Sequence, residues 1–174
     1  MNNFELDCIL KHNSTVSKCY TNEIYTYDTL PSKLKPGYFY IFNTKSANSN
    51  HSSVGHWVIF LTKATSLTFI DSFGERPTEY IYSLMLKYQQ EQSNNCNLYF
   101  NNVTLQADAA TSCGLHSIVF ATTFSYDYTV RDTLKYVYNV DEGCQSNDLF
   151  FFDKKAQKFV YIVYNEYRSI FFSI

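Results

Sequence analysis

Several features that mark large classes of protein are missing from this sequence. Its 174 residues contain no run of about 18 or more consecutive apolar residues, so a typical membrane-spanning helix is not expected. The 14 lysine and arginine residues are scattered, and the 16 acidic residues bring the formal net charge to −2. Because neutralising phosphates requires clustered cations, we expect DNA binding to be weak or absent.

The cysteines are few and follow no metal-binding pattern. There are five of them, at positions 8, 19, 96, 113 and 144, and no C-x-x-C pair occurs, so no zinc or other metal cofactor is expected. The first residues include early acidic side chains and no long apolar core, which argues against a secretory signal. We therefore expect reduced thiols inside a cell and no contact with a membrane.

Hydrophobic periodicity and turn residues predict a single domain over residues 1–174, without internal repeats or a linker. The pattern predicts helices at 4–12, 78–92, from position 113 onward and at 129–140, strands at 38–43, 56–62, 66–73 and 97–106, a polar loop at 45–55, and a closing β-hairpin over 148–164 that turns at Lys154 to Lys158. The predicted fold class is α+β, with a mixed, partly antiparallel central sheet flanked by helices.

The stretch TSCGLHSIVFATTF, residues 111–124, places a cysteine directly before an apolar series with helical spacing. Cys113 is therefore expected at or just before a helix N-terminus, and Gly114 follows it in the sequence. Two interpretations are open. Free cysteine is one of the most buried residue types, so Cys113 could be a core filler, but a helix N-terminus also lowers the pKa of a thiol and favours a nucleophile.

A cysteine nucleophile needs a base, and His56 is the candidate favoured by position. It opens one predicted strand and Asp71 ends the next, so folding back between the strands would set the two residues opposite each other. The alternative is a surface ion pair of little consequence. His116 lies three residues after Cys113 on the same helix, and we interpret it as a packing or surface histidine.

Gln106 ends the predicted strand that precedes the cysteine segment. Its side-chain amide, together with the backbone N–H of Cys113, could donate to the oxyanion of a tetrahedral intermediate. A solvated glutamine at a strand end is the other interpretation.

The order of these residues resembles that of the adenovirus protease (adenain) family, whose clan also contains the SUMO-specific proteases. The resemblance covers about residues 4–125 and rests on the segments YTYDTLP, YFYIFNT, GHWVIF, FIDSFG and LQADAATSCGLHSIVF. Gln106 and Cys113 are seven positions apart (113 − 106), as in adenain. SUMO proteases usually have one residue fewer there and an aspartate where Ser112 stands, and adenain itself has glutamate at the position of Asp71.

The resemblance implies an adenain-like fold and a cysteine endopeptidase activity. In that family pattern Cys113 is the nucleophile, His56 is the acid and base, Asp71 orients His56, and Gln106 contributes to the oxyanion hole. The implied location is the host cell, its nucleus or the virion, and the expected state is a monomer.

The resemblance also implies a narrow substrate cleft that rejects branched side chains. Trp57 and Gly114 would line it, although Trp57 could equally be a core residue. The substrates implied are precursor proteins of a virus or a virus-like element, cut next to small residues such as glycine. Two other functions remain open, namely removal of ubiquitin-like modifiers of the SUMO type and a catalytically inactive binding module.

Cys96 is not used by this chemistry. It directly precedes a predicted strand, so we expect an accessible thiol at a sheet edge. Adenain is activated by a short viral peptide tied to the enzyme through a cysteine, and the resemblance implies a comparable activating peptide attached to Cys96 by a disulfide. An inert thiol is the alternative.

Overall fold

The computed structural model describes residues 1–47, 55–92, 95–108, 110–140 and 149–164. The strands are β1 (Tyr25–Thr26), β2 (Phe39–Asn43), β3 (Trp57–Lys63), β4 (Ser66–Asp71) and β5 (Asn97–Phe100). The helices are α1 (Asn3–His12), α2 (Val16–Cys19), α3 (Glu79–Glu91), α4 (Cys113–Ser125), α5 (Val130–Tyr136) and α6 (Leu149–Val163).

The five strands form one sheet in chain order, and their pairing is mixed. β2 and β4 pair antiparallel with the central strand β3, whereas the outer strands β1 and β5 run parallel to their neighbours. The predicted α+β class, with a partly antiparallel sheet flanked by helices, is therefore confirmed.

The central strand β3 is buried on both faces, which explains its unbroken apolar sequence. On one face, Trp57, Ile59 and Leu61 pack into an apolar cluster that includes residues of α1, α4 and α6. On the other face, Val58 and Phe60 join a second cluster with residues of α3. This double cover fixes the position of both ends of β3.

Helix α4 is the most enclosed helix in the described part of the chain. All of its residues are buried except Leu115 and Ser125. It packs against β3 on one side and against α6 on another. The N-terminus of this helix is therefore held rigidly relative to the sheet.

Helices α1 and α3 begin at capping residues that the sequence offers. Asn2 accepts the backbone N–H of Glu5 and the Glu5 carboxylate accepts the N–H of Asn2, which forms a capping box for α1. Thr78 caps α3 by accepting the N–H of Ile81. The helices predicted at 4–12 and 78–92 thus match α1 and α3 closely.

The predicted C-terminal β-hairpin is wrong, because its described residues form helix α6. The buried residues Phe152, Ala156 and Val160 recur every four positions and face the core. Lys154 and Lys158, which were expected to form a turn, lie on the exposed side of this helix. The aromatic and β-branched composition suggested strands, but burial against α4 selects a helix.

Two other predicted elements are shorter than expected. The strand predicted at 97–106 ends at Phe100, and the helix predicted at 129–140 ends at Tyr136. Of the polar loop predicted at 45–55, residues 48–54 lie outside the described residues.

Two kinds of feature are absent from the described ranges. Each helix in them is too short or too polar to cross a membrane. Within the same ranges, no three or more His, Cys, Asp or Glu side chains are grouped so that they could hold a metal ion.

The enclosure of α4 leads to a prediction about stability. Phe120 is fully buried on this helix, so Phe120→Ala should lower the free energy of unfolding by about 3–5 kcal/mol through lost burial and the cavity it leaves. Urea denaturation measures the change. Phe4→Ala is the matched control, because Phe4 is 75% exposed on α1 and should change stability by less than about 0.5 kcal/mol. Equal losses in the two variants would contradict this account of the core.

Candidate active site

Cys113 is the first residue of α4, at the helix N-terminus where the sequence predicts it. Its side chain is buried in the apolar cluster beneath β3. The His56 side chain and the backbone N–H groups of Trp57 and Gly114 lie close enough to the thiol to lower its pKa. Cys113 is thus a core residue, as the filler interpretation requires, and it also contacts the candidate base.

His56 precedes β3, and its imidazole reaches the end of β4. Val58 is the residue directly opposite Asp71, so the prediction that His56 itself lies opposite Asp71 is wrong by two positions. The chain turns one residue later than expected. His56 and Asp71 are instead diagonal neighbours on one face of the sheet, and His56 Nε2 lies 2.8 Å from Asp71 Oδ1. Because Nε2 contacts Asp71, Nδ1 is the ring nitrogen that remains to interact with Cys113.

The Asp71 carboxylate is oriented by its own chain. The backbone N–H of Phe73 donates to Asp71 Oδ1 at 2.7 Å, and the Phe73 ring packs on the His56 ring with 4.6 Å between centroids. The Asn101 side chain replaces a missing strand partner, since its Oδ1 accepts the Asp71 N–H and its Nδ2 donates to the Asp71 carbonyl. Sequence reasoning missed both residues. Phe73 lies in the FIDSFG segment, whereas Asn101 gave no signal.

Gln106 is buried rather than solvated, with 1% of its surface exposed. Its Oε1 accepts the Ser72 hydroxyl at 2.7 Å, and its backbone N–H donates to the Ser72 carbonyl at 3.0 Å. Its Nε2 donates one hydrogen to the Ala110 carbonyl at 2.6 Å. The second hydrogen of the amide remains for another acceptor. Ser72, which follows Asp71 directly, therefore joins the two parts of the site.

The entrance of α4 is crowded. A Cβ added to Gly114 would lie 3.0 Å from Met1 Sδ and 3.5 Å from Trp57 Cδ1, so a larger residue would displace a neighbour. Trp57 is buried in the core cluster, as the packing interpretation holds, and its ring edge also borders the helix entrance. Sequence reasoning did not single out Met1.

His116 is a packing histidine, and its burial excludes the surface alternative. Its Nδ1 lies 2.8 Å from the Tyr138 hydroxyl, and its Nε2 lies 3.0 Å from Asp153 Oδ1. Both ring nitrogens are therefore occupied by other partners than Cys113. Asp153 lies on α6, in the segment predicted as a hairpin, so sequence reasoning could not place it near the site.

The expectation of an accessible thiol at Cys96 is wrong. Cys96 is 1% exposed and packs in the cluster between the sheet and α3, although β5 begins at the next residue. Burial raises the pKa of this thiol. A disulfide to an external peptide would first require Cys96 to leave the core.

The chain is similar to known proteins in fold but not in sequence. No protein-family model and no curated protein sequence matches the chain. The crystal structure of the ASFV pS273R protease superposes with a TM-score of 0.58 at 12% identity, covering 89% of this chain and 65% of that chain. Its selenomethionine form gives a TM-score of 0.56 at 12% identity, with coverages of 90% and 66%. The chain has a cysteine-protease fold.

The chain spans just under two thirds of the length of the pS273R chain in both superpositions. The yeast Ulp1 protease domain, solved in complex with Smt3, the yeast ortholog of SUMO, gives a TM-score of 0.46 at 13% identity, with coverages of 92% and 78%. A score at that level supports no argument about this chain. The adenain-like fold expected from the resemblance is therefore confirmed.

The surroundings of Cys113 and His56 favour an ion pair between them. Burial alone would lower the pKa of the His56 imidazole, but the hydrogen bonds to Asp71 and Cys113 outweigh it and raise that pKa to about 9. Burial alone would raise the pKa of the Cys113 thiol, but His56 together with the backbone N–H groups of Trp57 and Gly114 outweighs burial and lowers that pKa. Thiolate and imidazolium therefore coexist between the lowered pKa of the thiol and about pH 9.

This ion pair predicts the pH dependence of thiol reactivity. As the pH rises, the rate at which iodoacetamide alkylates Cys113 should increase at a lower pH than for an ordinary thiol, because the pKa of Cys113 is lowered. In His56→Ala the same rate should rise only as the pH approaches the ordinary thiol pKa. Mass spectrometry of the Cys113 peptide distinguishes this cysteine from the others.

His12→Ala serves as the control, because His12 is exposed at the end of α1 and should leave the profile unchanged. Superimposable profiles for the wild type and His56→Ala would rule out the ion pair.

Proposed function

We propose that this chain is a cysteine endopeptidase with a triad of Cys113, His56 and Asp71 and an oxyanion hole that includes Gln106. The observation that carries the proposal is the double contact of one imidazole. His56 lies beside the Cys113 thiol, whose pKa it lowers, and its Nε2 lies 2.8 Å from the Asp71 carboxylate. Hydrolases that form a covalent intermediate use this arrangement, in which one base contacts both the nucleophile and an orienting carboxylate.

In the proposed reaction the Cys113 thiolate attacks the carbonyl carbon of the scissile peptide bond. The carbonyl oxygen becomes an oxyanion, and the C–N bond then breaks as the His56 imidazolium gives its proton to the leaving amine. A thioester remains. Water attacks it while neutral His56 accepts a proton, the carboxylic acid leaves, and the Cys113 thiolate and the imidazolium are restored.

Asp71 keeps its charge throughout this cycle. It accepts the Nε2 hydrogen of His56, which holds Nδ1 towards Cys113 and stabilises the imidazolium. The N–H of Phe73 fixes the carboxylate oxygen that makes this contact.

The oxyanion would be held by the backbone N–H of Cys113 and the free amide hydrogen of Gln106. The first lies at the positive end of the α4 dipole. The second is preset by the contacts of Gln106 with Ser72 and Ala110, so it needs no reorganisation during the reaction.

The substrates we propose are precursor proteins of a virus or a virus-like element, cut next to small residues such as glycine. Trp57 and Met1 both lie against Gly114, next to Cys113, so they are the side chains that we propose narrow the approach to the thiol. A peptide library profiled with Cys113→Ala as the blank tests this preference. Cleavage of SUMO-type conjugates without cleavage of library peptides would favour the removal of modifiers instead.

Substitutions in the triad test the mechanism. Cys113→Ala should abolish peptide hydrolysis, and His56→Ala should lower kcat by at least about 10³-fold because the thiol loses its base and the amine its acid. Asp71→Asn should lower kcat by about 10–10³-fold with a smaller change in KM, since a cysteine depends less on its base than a serine does. Circular dichroism checks that each variant is folded.

The exposed His12 again supplies the control, and His12→Ala should keep the wild-type rate. A folded His56→Ala variant with wild-type turnover would refute the triad. A wild-type protein that is folded but neither alkylated at Cys113 nor active on any peptide would be an inactive relative.

Gln106 is tested separately from the nucleophile. Gln106→Ala should lower kcat by about 10²–10³-fold, the usual cost of one oxyanion donor, while the alkylation rate of Cys113 stays close to wild type because alkylation forms no oxyanion. Steady-state kinetics and alkylation are measured on the same preparation. The exposed Gln90 on α3 provides the control Gln90→Ala. Equal loss of turnover and alkylation in Gln106→Ala would show that Gln106 acts on the thiol rather than on the oxyanion.

A further inference from the structure

A buried polar cluster lies beside the first turn of α4, and the triad and oxyanion chemistry do not use it. We call it the Asp153 cluster. It consists of the side chains of Asp153, Ser112, His116 and Tyr138 and the backbone N–H of Ala107. It joins α6, the start of α4, the second residue after α5 and the segment after Gln106.

The Asp153 carboxylate is the hub of this cluster. Its Oδ1 accepts the Ser112 hydroxyl and lies 3.0 Å from His116 Nε2. Its Oδ2 accepts the backbone N–H of Ala107 at 3.3 Å. The carboxylate therefore receives three hydrogen bonds from two separate parts of the chain.

The hydrogens of the cluster can be assigned from its donors and acceptors. With Nε2–H donating to Asp153, the Nδ1 of His116 accepts the Tyr138 hydroxyl, and every polar group has a partner. This pattern requires a neutral imidazole. Burial lowers the pKa of His116, in agreement with the neutral form. The negative charge of Asp153 is thus balanced by hydrogen bonds rather than by a cation.

Ser112 behaves unusually for a residue at the N-cap position. Serine there normally accepts a helix N–H with its hydroxyl, but Ser112 makes no such capping bond. Its hydroxyl donates to Asp153 instead. The side chain is thereby turned away from the N–H groups at the start of α4, which include the N–H of Cys113.

The two contacts of Asp153 lie at the two ends of one short segment. Ala107 follows Gln106, and Ser112 precedes Cys113. These neighbours carry the two oxyanion donors of the proposed function. A single carboxylate therefore contacts the chain next to each of the two donors.

Helix α6 does not need the Asp153 carboxylate to be held against the core. The helix already buries Phe152, Ala156 and Val160 against the core that contains α4. Burying a charged group costs free energy that an apolar residue would avoid. The placement of a carboxylate at position 153 is explained by what it holds, namely Ala107 and Ser112.

We propose that Asp153 is a positioning residue that fixes the oxyanion hole by clamping both ends of the segment between Gln106 and Cys113. The proposal rests on the proposed protease function. Asp153 does not touch the substrate, and it acts through the backbone at Ala107 and through Ser112.

Asp153→Ala tests the clamp, because it removes all three acceptor contacts. It should lower kcat by about 10–100-fold, the order expected when catalytic donors are misplaced by about 1 Å, with KM changed by less than about 3-fold. Alkylation of Cys113 by iodoacetamide should stay within about 2-fold of wild type. Amide hydrogen exchange at Ala107 should become faster, while the core amides of α4 keep their protection.

Lys154→Ala is the matched control, since Lys154 is the exposed neighbour on the same helix. It should change neither kcat nor the exchange of Ala107. Asp153→Asn is the conservative variant. Its amide oxygen can accept the Ala107 N–H, and its NH₂ group can donate to Ser112 and, with the other tautomer, to His116. It should therefore recover most of the turnover lost in Asp153→Ala.

A double-mutant cycle tests the route of the effect. Ser112→Ala alone should lower kcat by less than Asp153→Ala, and adding it to Asp153→Ala should produce almost no further loss. Fully multiplicative effects of the two substitutions would overturn the clamp, because they would mean that Ser112 and Asp153 act independently.

Three further outcomes would overturn the positioning role of Asp153. Wild-type kcat and wild-type Ala107 exchange in a folded Asp153→Ala variant would overturn the positioning role and leave the proposed protease standing. Asp153→Asn as damaging as Asp153→Ala would show that the charge of Asp153 matters rather than its contacts, and would also overturn it. A folded wild-type protein that hydrolyses no peptide would overturn the protease function first, and the positioning role with it.

Discussion

Burial of β3 on both faces is the constraint on which the rest of the structure depends. Because β3 is covered by α4 on one face and by α3 on the other, its register with β4 and its distance from α4 are both fixed. His56 stands at one end of this strand. Asp71 approaches it from β4 and Cys113 from the start of α4, so the three side chains come together at this end of the sheet.

The polar groups at this end of the sheet are held mainly by backbone contacts. Phe73 N–H orients the Asp71 carboxylate, Ser72 fixes both the backbone and the side chain of Gln106, and Asn101 completes the hydrogen bonding of Asp71 where β5 has ended. A site built from short backbone contacts loses little freedom when a substrate binds, which is the physical basis of preorganised electrostatic stabilisation. The same arrangement makes the site sensitive to small shifts of the segments that carry these groups.

Some features of the fold could be read from the sequence and others could not. The helix after Cys113 was predictable from apolar spacing, and α1 and α3 were predictable from spacing and caps, because these signals are local. The last helix was not, since Phe152, Phe159 and Val160 satisfy strand propensity as well as helical spacing. The choice between the two depends on the surface of α4 that the segment must cover, and this surface exists only in the folded chain.

The sequence by itself determined which residue types stand at the ends of its periodic segments, and together with the family resemblance this made His56, Asp71, Gln106 and Cys113 the candidate site residues. His56 precedes a strand, Asp71 ends one and Cys113 begins a helix, whereas Gln106 lies beyond the end of β5. Only the tertiary structure decided the shifted β3–β4 register, the burial of Cys96 and the approach of Asp153 to Ser112. These features join residues that are far apart in the chain, and their contacts arise from the way whole elements pack, which no local pattern encodes.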